Sequence, residues 1–147
     1  MREIKFRGKA IDTGEACYEE WIYGYLYIEN PKYCSNCCYI FNELGISSDG
    51  DEIDGLVEVD CASVGQYTGL QDKNGMEIYE GDIMVVRHLH DGDDDVWMND
   101  AAIPFVIEWD DHYIGFNLAA RVSRHPSDYE VIGNIYENPE LLKGGAK

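Results

Sequence analysis

The sequence predicts an all-β protein. No amphipathic stretch of ten or more residues shows helical spacing, several short runs are rich in aromatic and β-branched residues, and Gly-containing turns separate those runs. Short strands and close turns of this kind suit a small barrel or sandwich.

Taken in order, Ile4, Phe6 and Gly8 alternate with Lys5, Arg7 and Lys9, so residues 3 to 9 read as an edge or opening strand with one solvated basic face. Asp12-Thr13-Gly14 ends it, and residues 10 to 20 form the extended loop of a hairpin. From Trp21 to Glu29 aromatic and β-branched residues dominate, which predicts a second strand, broken or bulged at Gly24. Asn30-Pro31 stops it. Tyr39-Ile40-Phe41 reads as a short strand, residues 45 to 55 as an exposed loop with four acids and no bases, and Leu56 to Val59 as one more alternating strand.

The stretch from Val64 to Asp82 organises the rest of the chain. Lys73-Asn74-Gly75 lies between two short apolar pieces, and Asn-Gly is the pair that best tolerates the positive φ angles of a tight hairpin. Gly65, Gly69, Gly75 and Gly81 fall within these nineteen residues, at bends that a side chain would obstruct. Their spacing matches neither a dinucleotide nor a nucleotide-phosphate loop. The stretch reads as the junction of two β units, with Gly81-Asp82 aiming a core strand at Ile83 to Arg87.

Residues 88 to 100 hold five aspartates and no periodicity, and predict a long loop. Ile103 to Trp109 and Tyr113 to Leu118 form a hairpin with an acidic tip, Arg121 to Ser127 a connection, and Tyr129 to Tyr136 a strand interrupted at Gly133. Asn138 caps one helical turn with Pro139 at its first position, and Gly144-Gly145 lies in a frayed end.

Several of these blocks together carry a resemblance. Ile4-Lys5-Phe6-Arg7-Gly8-Lys9, Val64-Gly65-Gln66-Tyr67-Thr68-Gly69-Leu70, Asp72-Lys73-Asn74-Gly75, Glu77-Ile78-Tyr79-Glu80-Gly81-Asp82 and Val131-Ile132-Gly133-Asn134-Ile135-Tyr136-Glu137-Asn138-Pro139 resemble the YopX family of bacteriophage and prophage proteins. The resemblance implies a small N-terminal β unit over residues 1–62 and, over 63–147, a part similar to an SH3-like barrel. It implies no established activity and no catalytic residue. Residues 33 to 38 and 91 to 100 depart from it as variable insertions.

Composition bounds the function. A chain of 147 residues makes one compact domain or two very small ones, and 29 acids against 11 bases give a formal charge of -18. That charge repels phosphate backbones and argues against a general nucleic-acid binder, although Arg2, Lys5, Arg7 and Lys9 place four of the bases in the first nine residues. No apolar run is long enough for a signal peptide or a membrane helix, so a soluble protein of the bacterial cytoplasm is expected. Five cysteines, an odd number in that setting, then read as thiols rather than a disulfide framework.

Three constellations could carry chemistry. Cys34-x-x-Cys37-Cys38 supplies one pair of a zinc site, which needs two more ligands; Cys17, Cys61, His88 and His90 are the distant candidates, a redox-active dithiol is a lesser alternative, and spare thiols in a turn are the favoured reading. Asp91, Asp93, Asp94 and Asp95 alternate as calcium ligands do, but Val96 stands where the loop needs glycine and no glutamate occupies the twelfth position, so a solvated acidic loop is favoured. His112 beside Asp110 and Asp111 has the makings of a tuned base, yet it falls at a turn where histidine is ordinarily exposed. No nucleophile motif is present. The expectation is therefore a non-enzyme without cofactor: a module contacting a protein partner or copies of itself through a surface rich in its eleven Tyr and three Trp. A variant makes the acidity itself the contact surface for a basic site on a nucleic-acid-handling protein. The alternative is a nucleic-acid-binding module built from the basic first strand with Trp21 and Tyr23 as stacking rings.

Overall fold

The computed structural model describes residues 3–11, 21–29, 38–41, 55–86, 104–112, 114–117 and 129–145. Among these the regular structure is short β-strands and two 3₁₀ segments, with no α-helix, so the protein is all-β. The chain divides into two compact units, Met1–Tyr67 and Thr68–Lys147.

The first unit contains β1 (Phe6–Lys9), β2 (Trp21–Ile28), β3 (Cys38–Phe41), β4 (Leu56–Glu58) and the start of β5 (Gly65–Gln71). They lie in the order β4-β3-β2-β1-β5, every pair given by register being antiparallel. The first strand is thus interior rather than an edge, because Gly65 and Gln66 of β5 pair with its free side. Alternation places Phe6, Ile22, Leu26, Ile40 and Val57 on the inner face, where they pack with Cys38, Val59, Ala10 and Val64. The sheet curls tightly enough for Ala10 to bridge Val59. The Ile11 N–H donates to the Glu58 carbonyl at 3.1 Å and the Asp60 N–H to the Lys9 carbonyl at 2.9 Å. The close approach of β3 needs a glycine at position 24, because a Cβ there would collide with the Phe41 carbonyl oxygen.

The cysteines correct one expectation. Cys38 and Cys61 form a disulfide across 23 residues, with Cα atoms 5.2 Å apart. The Val59 N–H donates to the Cys38 carbonyl at 2.9 Å, which holds the chain leaving β4 beside the start of β3. Asp60 then caps the 3₁₀ turn Cys61–Ser63, its Oδ1 accepting from the Ala62 N–H, and the turn carries Cys61 back to Cys38. The parity of the cysteine count carries no information about a proximity created between residues 23 apart in sequence.

In the second unit β5 continues and is joined by β6 (Glu77–Tyr79), β7 (Asp82–Val86), β8 (Phe105–Val106), β9 (Trp109–Asp110), β10 (Gly115–Phe116) and β11 (Tyr129–Asn134). β11, β7 and β8 form one antiparallel sheet and β9 with β10 a hairpin. The core comprises Ile78, Met84, Phe105, Ile107, Phe116 and Tyr129. The expected break at Gly133 is a register shift between Val131 and Gly133. The strand expected over 103–109 divides at Ile107, whose N–H and C=O still pair with the Asp82 carbonyl and the Gly81 N–H. Asn138 and Pro139 open a 3₁₀ segment, Pro139–Gly145, which is longer than the single helical turn expected and takes in Gly144-Gly145, expected to lie in a frayed end. Among the described residues of the second unit no sheet closes on itself, so the SH3-like barrel implied by the resemblance is not seen as a closed barrel.

Candidate functional site

The residues singled out for chemistry do not converge. Cys34, Cys37, Cys17, His88, His90 and the aspartates 91–95 lie outside the described residues. Cys38 is bonded to Cys61, so in this structure neither sulfur is a thiolate that could hold zinc. His112 is exposed at the β9–β10 turn, where its backbone N–H donates to Asp110 Oδ1 at 2.8 Å, while Asp111 Oδ1 accepts from Trp109 Nε1 at 3.0 Å. Both carboxylates hold the turn. Among the described residues no group of three or more His, Cys, Asp or Glu is placed to hold a metal ion.

Two buried polar groups in the second unit are structural. Asp72 accepts the Asn74 and Met76 N–H groups on Oδ1, at 2.8 and 3.0 Å, and the Val131 N–H on Oδ2 at 3.1 Å. Burial by itself would raise its pKa, but the backbone donors and the Asn74 side chain outweigh it and hold the carboxyl below its ordinary value. The turn at Lys73-Asn74-Gly75 therefore differs from the expected pattern. Positive φ occurs at Gly75 alone (φ 80°), and Asn74 is held instead by the side chain of Asp72. Asn134 similarly accepts from the N–H groups of Tyr136 and Glu137, both at 3.0 Å, and shapes the bend after β11.

The surface that stands out is the outer face of β1–β4. Because β2 alternates, Ile22 points inward while Trp21, Tyr23, Tyr25 and Tyr27 point outward. Register extends the row: Phe41 stands opposite Tyr25, Leu56 opposite Phe41, and Tyr39 opposite Tyr27. Tyr23, Tyr25, Tyr27, Phe41 and Leu56 are 40 to 51% exposed. Such a contiguous apolar patch is more informative than single exposed side chains. The Tyr27 and Tyr39 rings lie 6.2 Å apart, tilted at 44°.

The two flanks of this face differ in charge. On the β1 side, Arg7 Cζ sits 4.9 Å over the Trp21 ring and Lys5 Nζ 4.8 Å over the Tyr67 ring. Arg7 is buried, which corrects the reading of that strand face as fully solvated. On the β4 side, Glu58 stands opposite Tyr39. Partial burial first, and then the carboxylates of Glu58 and Glu29, raise the Tyr39 phenol above its ordinary pKa. Trp21 and Tyr23 were legible in the sequence as surface rings. Tyr39, Phe41 and Leu56 join them only through strand register, for which the alternation within 39–41 and 56–59 was the available signal.

The family model described as YopX protein matches residues 5–143. Among solved structures, the crystal structure of a protein from Enterococcus faecalis is similar, with 26% identity and a TM-score of 0.48, covering 97% of this chain and 99% of that one. No curated protein matches the chain. The matched span takes in all eleven strands described above, from β1 through β11, and with them the aromatic face and both buried polar turns. This chain belongs to the YopX family.

Proposed function

We propose that this protein is a non-catalytic accessory module that contacts a protein partner, or a second copy of itself, through the outer face of β1–β4. The observation that supports this is the exposed row Tyr23, Tyr25, Tyr27, Phe41 and Leu56 on one sheet face. Tyrosine offers a large amphipathic contact area with few side-chain torsions to order, and aromatic side chains dominate the energetics of protein contacts. The nucleic-acid alternative draws less support. The bases beside these rings are engaged with Trp21 and Tyr67, Arg7 is buried, and the formal charge is -18.

A photo-crosslinking residue placed at Tyr25, in the full chain inside the producing cell, tests the reading against the same residue placed at the exposed Lys143. A discrete protein adduct or a dimer at position 25 and not at 143 is expected. Equal labelling at both positions, or none at 25, would overturn it. Exchanging Phe41 for Glu should remove the adduct while leaving the melting temperature within a few degrees, because this side chain is already exposed.

A further inference from the structure

We propose that Cys61 is a site of thiol–disulfide exchange with small-molecule thiols, and that Cys38 is its resolving partner. Two observations support the assignment. Cys61 is exposed at the head of its 3₁₀ turn, whereas Cys38 is 8% exposed and belongs to the apolar cluster with Ile22, Ile40, Val57 and Val59. An incoming thiolate therefore reaches the Cys61 sulfur and not the Cys38 sulfur. The second observation is that the two Cα positions are held by bonds that do not involve sulfur. Val59 N–H donates to the Cys38 carbonyl, Asp60 N–H to the Lys9 carbonyl at 2.9 Å, Lys9 N–H to Ser63 Oγ at 2.7 Å, and Ser63 Oγ to the Asp60 carbonyl at 2.7 Å. These keep the cysteines adjacent when the bond is open, so it re-forms without a search.

The exchange balances as follows. A thiolate attacks Cys61 Sγ, forming a mixed disulfide there, and the Cys38–Cys61 bond breaks with its electron pair passing to Cys38 sulfur, which takes a proton. A second thiolate attacks the outer sulfur of the mixed disulfide, releasing a Cys61 thiol and a small-molecule disulfide. The protein gains two electrons and the two thiols lose them. In reverse, a small-molecule disulfide thiolates Cys61, and Cys38 closes the bond by expelling the small thiol. Burial in the apolar cluster shields the open Cys38 from reagents in solution, so it is the slower of the two to be modified from outside, while the adjacent Cys61 mixed disulfide stays within its reach.

The test uses the full chain with Cys17, Cys34 and Cys37 exchanged for Ser, native and without denaturant, in mixtures of reduced and oxidised glutathione, quenched in acid and mapped by peptide mass. Reduced glutathione should open the bond, and oxidised glutathione should restore it with glutathione found transiently on Cys61. In C38A the adduct on Cys61 should accumulate. In the reduced chain, iodoacetamide should label Cys61 roughly tenfold faster than Cys38, a comparison that requires neither residue to be changed. Opening only in denaturant, adducts on Cys38 rather than Cys61, equal labelling rates, or failure to close under oxidised glutathione would each overturn the assignment.

Discussion

Asp72 shows how one acidic residue in a chain of charge -18 becomes structural. Its two oxygens take three backbone N–H groups from the turn and from β11, and all three demand an acceptor. In Asp72→Asn one oxygen is replaced by a donor, leaving an N–H facing an amide, and the expected loss is about 1–3 kcal/mol at neutral pH. Because the folded carboxyl titrates below its ordinary value of 3.8, its contribution is complete above that pH and disappears as pH falls through the lower, folded value. Urea melts of both proteins between pH 7 and pH 2.5 should show the gap between them closing below about pH 4. A gap independent of pH would mean that the carboxylate charge plays no part. Gly75 and Gly24 separate two reasons for needing glycine. At φ 80° with nothing within 4 Å of a built Cβ, Gly75→Ala should cost only the backbone strain, about 1–2 kcal/mol. Gly24→Ala must displace the Phe41 carbonyl from the β2–β3 ladder, and in the same thermal melt it should lower stability more than Gly75→Ala.

At the scale of elements, what the sequence made legible was what repeats locally. The alternation of residues 3 to 9, 21 to 29 and 56 to 59 marks β1, β2 and β4, and Gly81-Asp82 marks the entry to β7. It also marked the two local hairpins, β1 with β2 and β9 with β10, and left unread the pairing between strands that no such hairpin connects. Nothing local says that β1 sits between β2 and β5, that Phe41 lands beside Tyr25, or that the chain after β4 returns Cys61 to Cys38. These depend on contacts between residues far apart in sequence, and they create both the aromatic face and the disulfide. The bond closes a loop of 23 residues, and restraint of the unfolded chain then predicts that Cys61→Ser costs about 3–4 kcal/mol. Hydrogen exchange should place the loss in β1, β3 and β4 and leave the Met84 and Phe105 amides of the second unit slower to respond. A stability change below about 0.5 kcal/mol would indicate that the sulfurs are not joined in the folded protein.

For the whole molecule the governing quantity is charge, which is legible without any fold. Twenty-nine acids and 11 bases oppose compaction through self-repulsion, and they oppose association between copies in the same way. Apolar burial at the β1–β4 face works in the other direction and is not weakened by salt. These two terms respond differently as ionic strength rises: the Debye length falls from about 30 Å at 0.01 M to about 3 Å at 1 M, which removes most of the repulsion and leaves the apolar term intact. The melting temperature should therefore rise by a few degrees between about 0.02 and 0.5 M sodium chloride. Any contact made through Tyr25 and Phe41 should persist or tighten over the same range, whereas binding to nucleic acid through Lys5, Arg7 and Lys9 would fall steeply. A melting temperature that drops with salt would show that attractive ion pairs, not net repulsion, dominate the electrostatics of this chain. A contact that is lost with salt would assign recognition to its charged flanks rather than to the aromatic row between them.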